Sequence, residues 1–218
     1  MSEGLLGRLR RIVAHSEESA EPRDYQVRLV VGLGTPGEEY AGNRHNVGFW
    51  TVKRLARKHG IDLSISGRAA LGTGRIAGRE VALAKPRAFV NESGTVVWNL
   101  IKRLKLDDAA ELLVVCDDLD LPAGKVRLRP NGGSGGYKGL QSIIDATHSD
   151  RFPRLRIGIG RPVVNGKPTW EPEHVAGYVL SDPPAAERAL LDDAVARAAE
   201  AIELAIAEGV EAAMQRYN

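Results

Sequence analysis

The chain has 218 residues, 43% of them hydrophobic and 5% aromatic, enough for one domain with a substantial core and short for two. Its 30 Lys and Arg against 28 Asp and Glu leave a net charge of +2, so bulk charge names no polyanionic partner. The single cysteine, Cys116, excludes an internal disulfide framework and a cysteine-rich zinc site and fits a reducing cytoplasm, and no apolar run approaches the roughly 20 residues of a membrane span.

Residues 1–25 read as an appendage. Leu5, Leu6, Leu9, Ile12 and Val13 share a helical face opposite arginines, and Ser16 to Asp24 is polar. A flexible extension with a transient helix and a helix for a membrane surface or partner both fit that pattern. The N-terminus lacks the continuous apolar core of a secretory signal.

Residues 26–218 read as one domain, beginning with a strand from Val27 to Leu33. Gly32, Gly34 and Gly37 fit G-x-G-x-x-G after that strand, the pattern of a dinucleotide-binding turn. However, Thr35-Pro36 stands where the phosphate-binding helix should begin, and no strand ending in an acidic residue follows about 20 residues on. The spacing next predicts a helix from about Arg44 to Lys58, closed by Gly60, with His45 in its first turn. Imidazole suits proton transfer near neutral pH, although a histidine early in a helix can equally be structural.

Gly72 to Ala77 and Glu80 to Ala84 read as a hairpin, Pro86 opens a loop, and Ser93 to Leu104 has the period of an amphipathic helix. Asn91, just before that helix, either caps it or offers an amide to a substrate carbonyl or oxyanion. Leu112 to Cys116 is an apolar run expected of a strand buried on both faces, and Asp117, Asp118 and Asp120 follow it. Polar groups past the carboxyl ends of such strands are where open α/β sheets place sites. The aspartates could hold a metal, form a solvated turn, or supply one carboxylate to orient the imidazole.

Lys125 to Arg129 alternates with period two, Asn131 to Gly136 is a glycine loop, Lys138 to Ala146 reads as a helix, and Leu155 to Ile159 as a strand. Arg127 and Arg129, and likewise Arg156, alternate with apolar residues, so each set lies on one sheet face, either solvated or binding phosphate. The glycine loop is a flexible turn or one wall of a groove. Residues 161–173 form a proline-containing loop. Asp182-Pro183-Pro184 is expected to start a helix with Asp182 as cap, and Leu190, Leu191, Ala194, Val195, Ala198, Ile202 and Ala205 make its apolar stripe. Strands alternate with helices throughout, which gives an α/β class.

Taken together, several ordered stretches resemble the bacterial peptidyl-tRNA hydrolase family from about Val27 to Asn218. They are Val31 to Gly37, Tyr40, Arg44 to Phe49, Lys85-Pro86 with Phe89, Asn91 to Gly94, Asp117 to Pro122, the glycine loop, Arg154 to Pro162, Tyr178 to Leu180, and Ala213 to Asn218. The resemblance implies a single-domain α/β fold with a twisted mixed sheet between helices. It further implies hydrolysis of the ester joining a peptide to the 3′ ribose of tRNA, hence a monomeric cytoplasmic enzyme of translation and ribosome rescue, without metal or organic cofactor. By matching position, His45 would be the general base, Asp117 its orienting carboxylate, and Asn91 a ligand of substrate and water near the ester. Tyr40, Phe89 and Asn46 would line the cleft, and Arg129 and Arg156 would clamp a tRNA phosphate.

Four positions depart from the family pattern: Thr35 and Lys138 stand where it usually has asparagine, Val90 where it has methionine, and Tyr137 where it has histidine. Thr35 keeps a hydroxyl but loses amide reach. Lys138, if turned inward, would lower the pKa of His45; turned outward, it would add a phosphate contact. Tyr137 preserves a ring and a polar tip. The rival reading is a relative that binds tRNA-like RNA with weak or no hydrolysis, in the manner of the family's organellar splicing-factor members.

Overall fold

The structure, a computed structural model, describes residues 26–218, so the helical face expected in residues 1–25 lies outside the described residues. Its central strands are apolar at successive positions because both of their faces are covered. In β1 (Leu29–Gly32) and β5 (Leu112–Asp118) every residue but Asp118 is buried, the pattern of a parallel sheet packed on both sides. One seven-stranded sheet runs in the order β2 (Ser64–Ser66), β3 (Ala69–Ile76), β4 (Arg79–Pro86), β1, β5, β7 (Arg154–Gly158), β6 (Val126–Arg129). Strands β4, β1, β5 and β7 are parallel, while β2, β3 and β6 add antiparallel edges.

Against one face pack α1 (Val47–Lys58), α5 (Ala185–Glu208) and α6 (Val210–Tyr217), sharing a core in which Val30, Leu113 and Val115 meet Leu55, Val195 and Ile202. Against the other pack α2 (Ser93–Leu104) and α3 (Lys138–Thr147), where Val31 and Val114 meet Val97, Leu100 and Leu140. The expected mixed sheet between helices is thus present. A short helix, α4 (Pro172–Val179), and a small hairpin of β8 (Val163–Val164) and β9 (Lys167–Pro168) interrupt what reads in sequence as one long loop.

Two features of this topology position the site. From β1 the chain crosses to β4 on one side and later to β5 on the other, so a crevice opens at the carboxyl ends of β1 and β5, where such sheets place ligands. Helix α1 also lies directly on the backbone there: a Cβ on Gly48 would come within 2.5 Å of both the Leu33 and Val115 carbonyl oxygens, and one on Gly32 within 2.2 Å of the Gly48 oxygen. Only residues without side chains permit that approach.

Two expectations fail at α5. Its cap is Pro184, not Asp182, and no side chain caps it. The Asp182 carboxylate packs instead against Gly42. Leu190 is 53% exposed, whereas Leu191, Ala194, Val195, Ala198, Ile202 and Ala205 are buried; one residue off the stripe is about 100° of helix rotation, enough to face water.

Candidate active site

Strand parity aims Asp117. Leu113 and Val115 face α1, and Asp117, two residues beyond Val115, has the same orientation at the end of β5. The 3-10 turn Arg44–Asn46 that leads into α1 packs on this strand. His45 Nδ1 consequently lies 2.9 Å from Asp117 Oδ1. The Tyr137 hydroxyl, at the start of α3 on the opposite face, donates to that same oxygen at 2.8 Å. Burial opposes the imidazolium, but the Asp117 charge and hydrogen bond outweigh it, so the pKa of His45 is raised above its ordinary value. Burial and the adjacent Asp117 push the Tyr137 phenol well above its usual range, so it stays a neutral donor. With Nδ1–H directed at Asp117, the neutral ring carries its lone pair on Nε2, and the side chain keeps 14% of its surface open.

The turn that carries His45 is held on both sides. Arg44 forks onto Glu187 at 2.6 and 2.8 Å, donates to the Ser181 hydroxyl at 2.7 Å, and lies 4.2 Å above the Tyr178 ring. The Asn46 side chain accepts from the Thr35 amide at 2.7 Å and donates to the Thr35 and Tyr40 carbonyls at 3.0 and 2.6 Å. A Cβ on Gly34 would sit 2.2 Å from Asn46 Oδ1, so this brace requires a glycine there. A cavity of about 200 Å³ borders the brace, lined by Thr35, Asn46, Phe49, Lys53, Lys85 and Arg87 among others, but by neither Tyr40 nor Phe89.

Asn91 belongs to a 3-10 turn, Val90–Glu92, that packs on α3. A Cβ on Gly139 would meet both Val90 Cγ1 and Tyr137 Cε1 at 2.8 Å, which places this turn beside the Tyr137 ring at the same end of the sheet. The Asn91 side chain is exposed and makes no hydrogen bond among the described residues, whereas His45 and Asp117 meet directly. Phe89 is 67% exposed. Lys138, the first residue of α3, is exposed and forms no ion pair among the described residues; a cation there opposes the helix dipole.

Antiparallel pairing sets Arg127 opposite Arg156 and Arg129 opposite Arg154, four arginines on one face of the β6–β7 edge. Arg127 and Arg129 are exposed. Arg156 donates to Asp118 at 3.2 Å, and its Nε is buried without a partner. Arg154 is fully buried, donating to the Gly132, Gly133 and Asp150 carbonyls, and so shapes the glycine loop. The three aspartates do not converge as metal ligands would: Asp118 caps the amides of Asp120 and Leu121, and Asp120 pairs with Arg161. Among the described residues no group of three or more His, Cys, Asp or Glu is arranged to hold a metal.

Comparison with known proteins gives the family. A family model described as Peptidyl-tRNA hydrolase matches residues 29–218. The chain belongs to the peptidyl-tRNA hydrolase family. Peptidyl-tRNA hydrolase of Herpetosiphon aurantiacus is 48% identical over 193 residues, 87% of this chain and 89% of that protein. That of Chloroflexus aggregans is 45% identical over 191 residues, 87% and 98% of the two chains. The crystal structure of peptidyl-tRNA hydrolase from Acinetobacter baumannii matches at a TM-score of 0.82 and 37% identity, covering 91% of this chain and 97% of that one.

Within this peptidyl-tRNA hydrolase fold, the structure brings together His45, Asp117 and Tyr137, and separately Asn46, Thr35 and the Tyr40 backbone. Arg44 and Arg154 have roles that sequence reading did not assign. The apolar neighbours of Arg154 were a signal, since an arginine at full strand burial must satisfy its donors on nearby carbonyls. No helix among the described residues is long and apolar enough to cross a membrane.

Proposed function

We propose that the chain hydrolyses the ester between peptide and tRNA in peptidyl-tRNA, releasing free tRNA and peptide, with His45 as the general base. The observation that carries this reading is the 2.9 Å contact of His45 Nδ1 with buried Asp117, which leaves Nε2 as the proton-accepting nitrogen. Membership of the family over residues 29–218 supports it.

In this mechanism Nε2 takes a proton from water as the water oxygen bonds to the ester carbonyl carbon. Asp117 stabilises the imidazolium so formed, as in carboxylate–histidine pairs elsewhere. The tetrahedral intermediate collapses by breaking the bond to the 3′ oxygen, which takes back the proton from His45. The exposed amide of Asn91 orients water and donates to the developing oxyanion. Neither metal nor organic cofactor is required, because base, water and amide supply every proton and charge movement.

Around this centre we assign Phe89, Tyr40, Thr35, Asn46 and the Tyr137 ring to the peptide and the terminal adenosine. Lys138, Arg129 and Arg156 are assigned to tRNA phosphates. We further take the protein to act as a monomer in the cytoplasm, a compartment in which the lone buried thiol of Cys116 stays unpaired. The test is peptide release from peptidyl-tRNA by the intact protein and by His45→Ala, with loss of roughly 10²- to 10⁴-fold expected for removal of a general base. Equal release by the two proteins would overturn the assignment, and tRNA binding without release above the variant would mark a binding protein instead.

A further inference from the structure

Tyr137 occupies a position whose hydroxyl serves neither the core nor solvent. We propose that Tyr137 is a positioning residue for the base: by donating to the same Asp117 oxygen that holds His45, it fixes the carboxylate and shares its charge, and so sets the pH at which His45 becomes able to accept a proton. The inference rests on the reading of His45 as the base and extends it to a residue on the opposite face of the sheet.

Three observations carry it. Asp117 Oδ1 accepts from Tyr137 at 2.8 Å and from His45 Nδ1 at 2.9 Å, so both donors draw on one oxygen. The two rings stand 5.8 Å apart between centroids and tilted by 40°, close enough for both to reach that one oxygen. Asp117 is 3% exposed, so water has little access to dilute the effect. A carboxylate already bonded to a phenol is a weaker acceptor for a second donor. Tyr137 therefore limits how strongly Asp117 holds the imidazolium, offsetting the tendency of a buried carboxylate to keep the base protonated.

The other charged groups on the elements around the pair are paired, neutral or exposed to solvent. On the turn that carries His45, Arg44 is bound to Glu187. On β5, the Cys116 thiol is kept neutral by burial, and Asp118 pairs with Arg156. On the Asn91 turn, Glu92 pairs with Arg68. From α3, Lys138 is exposed, and from α4 the Tyr178 hydroxyl donates to the Ile159 carbonyl at 2.6 Å, while His174 and Glu173 are exposed.

The experiment follows the ionisation of His45 by NMR in the unmodified protein and in Tyr137→Phe, which removes only the hydroxyl. The variant should titrate at higher pH, because Asp117 then serves His45 alone. In peptide release, kcat/KM at a fixed pH on the acid limb should fall by about 3- to 10-fold as that limb moves with the His45 titration, part of what a hydrogen bond to a charged group is typically worth. Tyr137→His, which restores an N–H donor, should move the titration back toward that of the parent. In the unmodified protein the Tyr137 Cζ resonance should move in step with the His45 titration, a readout that survives even where a variant fails to fold. An unchanged His45 titration in folded Tyr137→Phe, or a Tyr137 resonance blind to His45, overturns the proposal. The NMR measurements need no substrate, so they fail separately from the hydrolytic assignment.

Discussion

Replacing Asp117 with asparagine removes one charge while keeping the shape of the site. At 2.9 Å, an effective dielectric of about 20 gives a gross attraction of roughly 6 kcal/mol between carboxylate and imidazolium. Burial of the ring takes back much of it, and charge-assisted hydrogen bonds are typically worth about 1.5–3 kcal/mol net. That range corresponds to roughly a 10- to 150-fold loss in kcat/KM on the plateau. The far larger loss seen when a triad aspartate becomes asparagine, about 10⁴-fold, comes from the wrong imidazole tautomer. Here both Tyr137 and His45 donate to Oδ1, so the asparagine carbonyl oxygen is held at that position and its NH₂ is turned away. The tautomer survives and only charge is lost.

The pH dependence has a definite sign. His45 has a raised pKa in the folded chain, so its pairing with Asp117 stabilises the fold fully below the ordinary imidazole value. That contribution disappears as pH rises through the folded value. In Asp117→Asn the burial that disfavours the imidazolium is unopposed, so the acid limb of kcat/KM moves to lower pH while the plateau falls. Peptide release from peptidyl-tRNA measured across the acid range reads both. A plateau within threefold of the parent with an unmoved limb would refute the pair, and a loss near 10⁴-fold would refute the shared-oxygen argument.

Asn46→Ala strands the buried Thr35 amide and loosens the loop before His45, costing about 2–3 kcal/mol, or roughly 5–10 °C in thermal unfolding; a melting point unchanged in calorimetry would contradict this brace. Lys138→Asn should leave the His45 titration and single-turnover rate unaltered while making the salt dependence of tRNA binding shallower by about 0.7 to 0.9 in the log–log slope. A faster variant with a shifted acid limb would show that the ammonium turns inward. Arg129→Ala should raise KM with kcat preserved and flatten the same slope by a similar amount, about one phosphate contact; an unaltered slope in filter binding would remove Arg129 from the tRNA surface.

What could be read from the chain follows its local periodicities. Ser93–Leu104 is helical over the very residues its amphipathic spacing marks, and the apolar run from Leu112 is the doubly covered strand expected, extending through Asp118. His45 and the cluster Asp117, Asp118 and Asp120 stand out because each adjoins a break in such a pattern, whereas the choice of Asp117 among the three comes from the family resemblance. Strand β2 does not stand out: Ser64–Ser66 is a short edge whose Ile65 is largely exposed, so no alternation announces it. Helix α4 was hidden because none of its residues is buried, leaving Pro172 at its first position as its only signal. The hydrogen bond from Tyr137 to Asp117 spans the two faces of the sheet between residues 20 apart, and no local rule predicts such a meeting. The apolar neighbours of Arg154 hint at its burial, but which carbonyls take its donors is a property of the folded loop.

The seating of α1 on bare main chain has an evolutionary corollary. Where Gly32 and Gly48 touch, the span separating imidazole from carboxylate is inherited from peptide geometry, with no intervening side chain whose replacement could lengthen it. That contact does not depend on which aliphatic side chains fill the core on either side of it. An alanine at either glycine would instead displace the whole helix, and His45 with it.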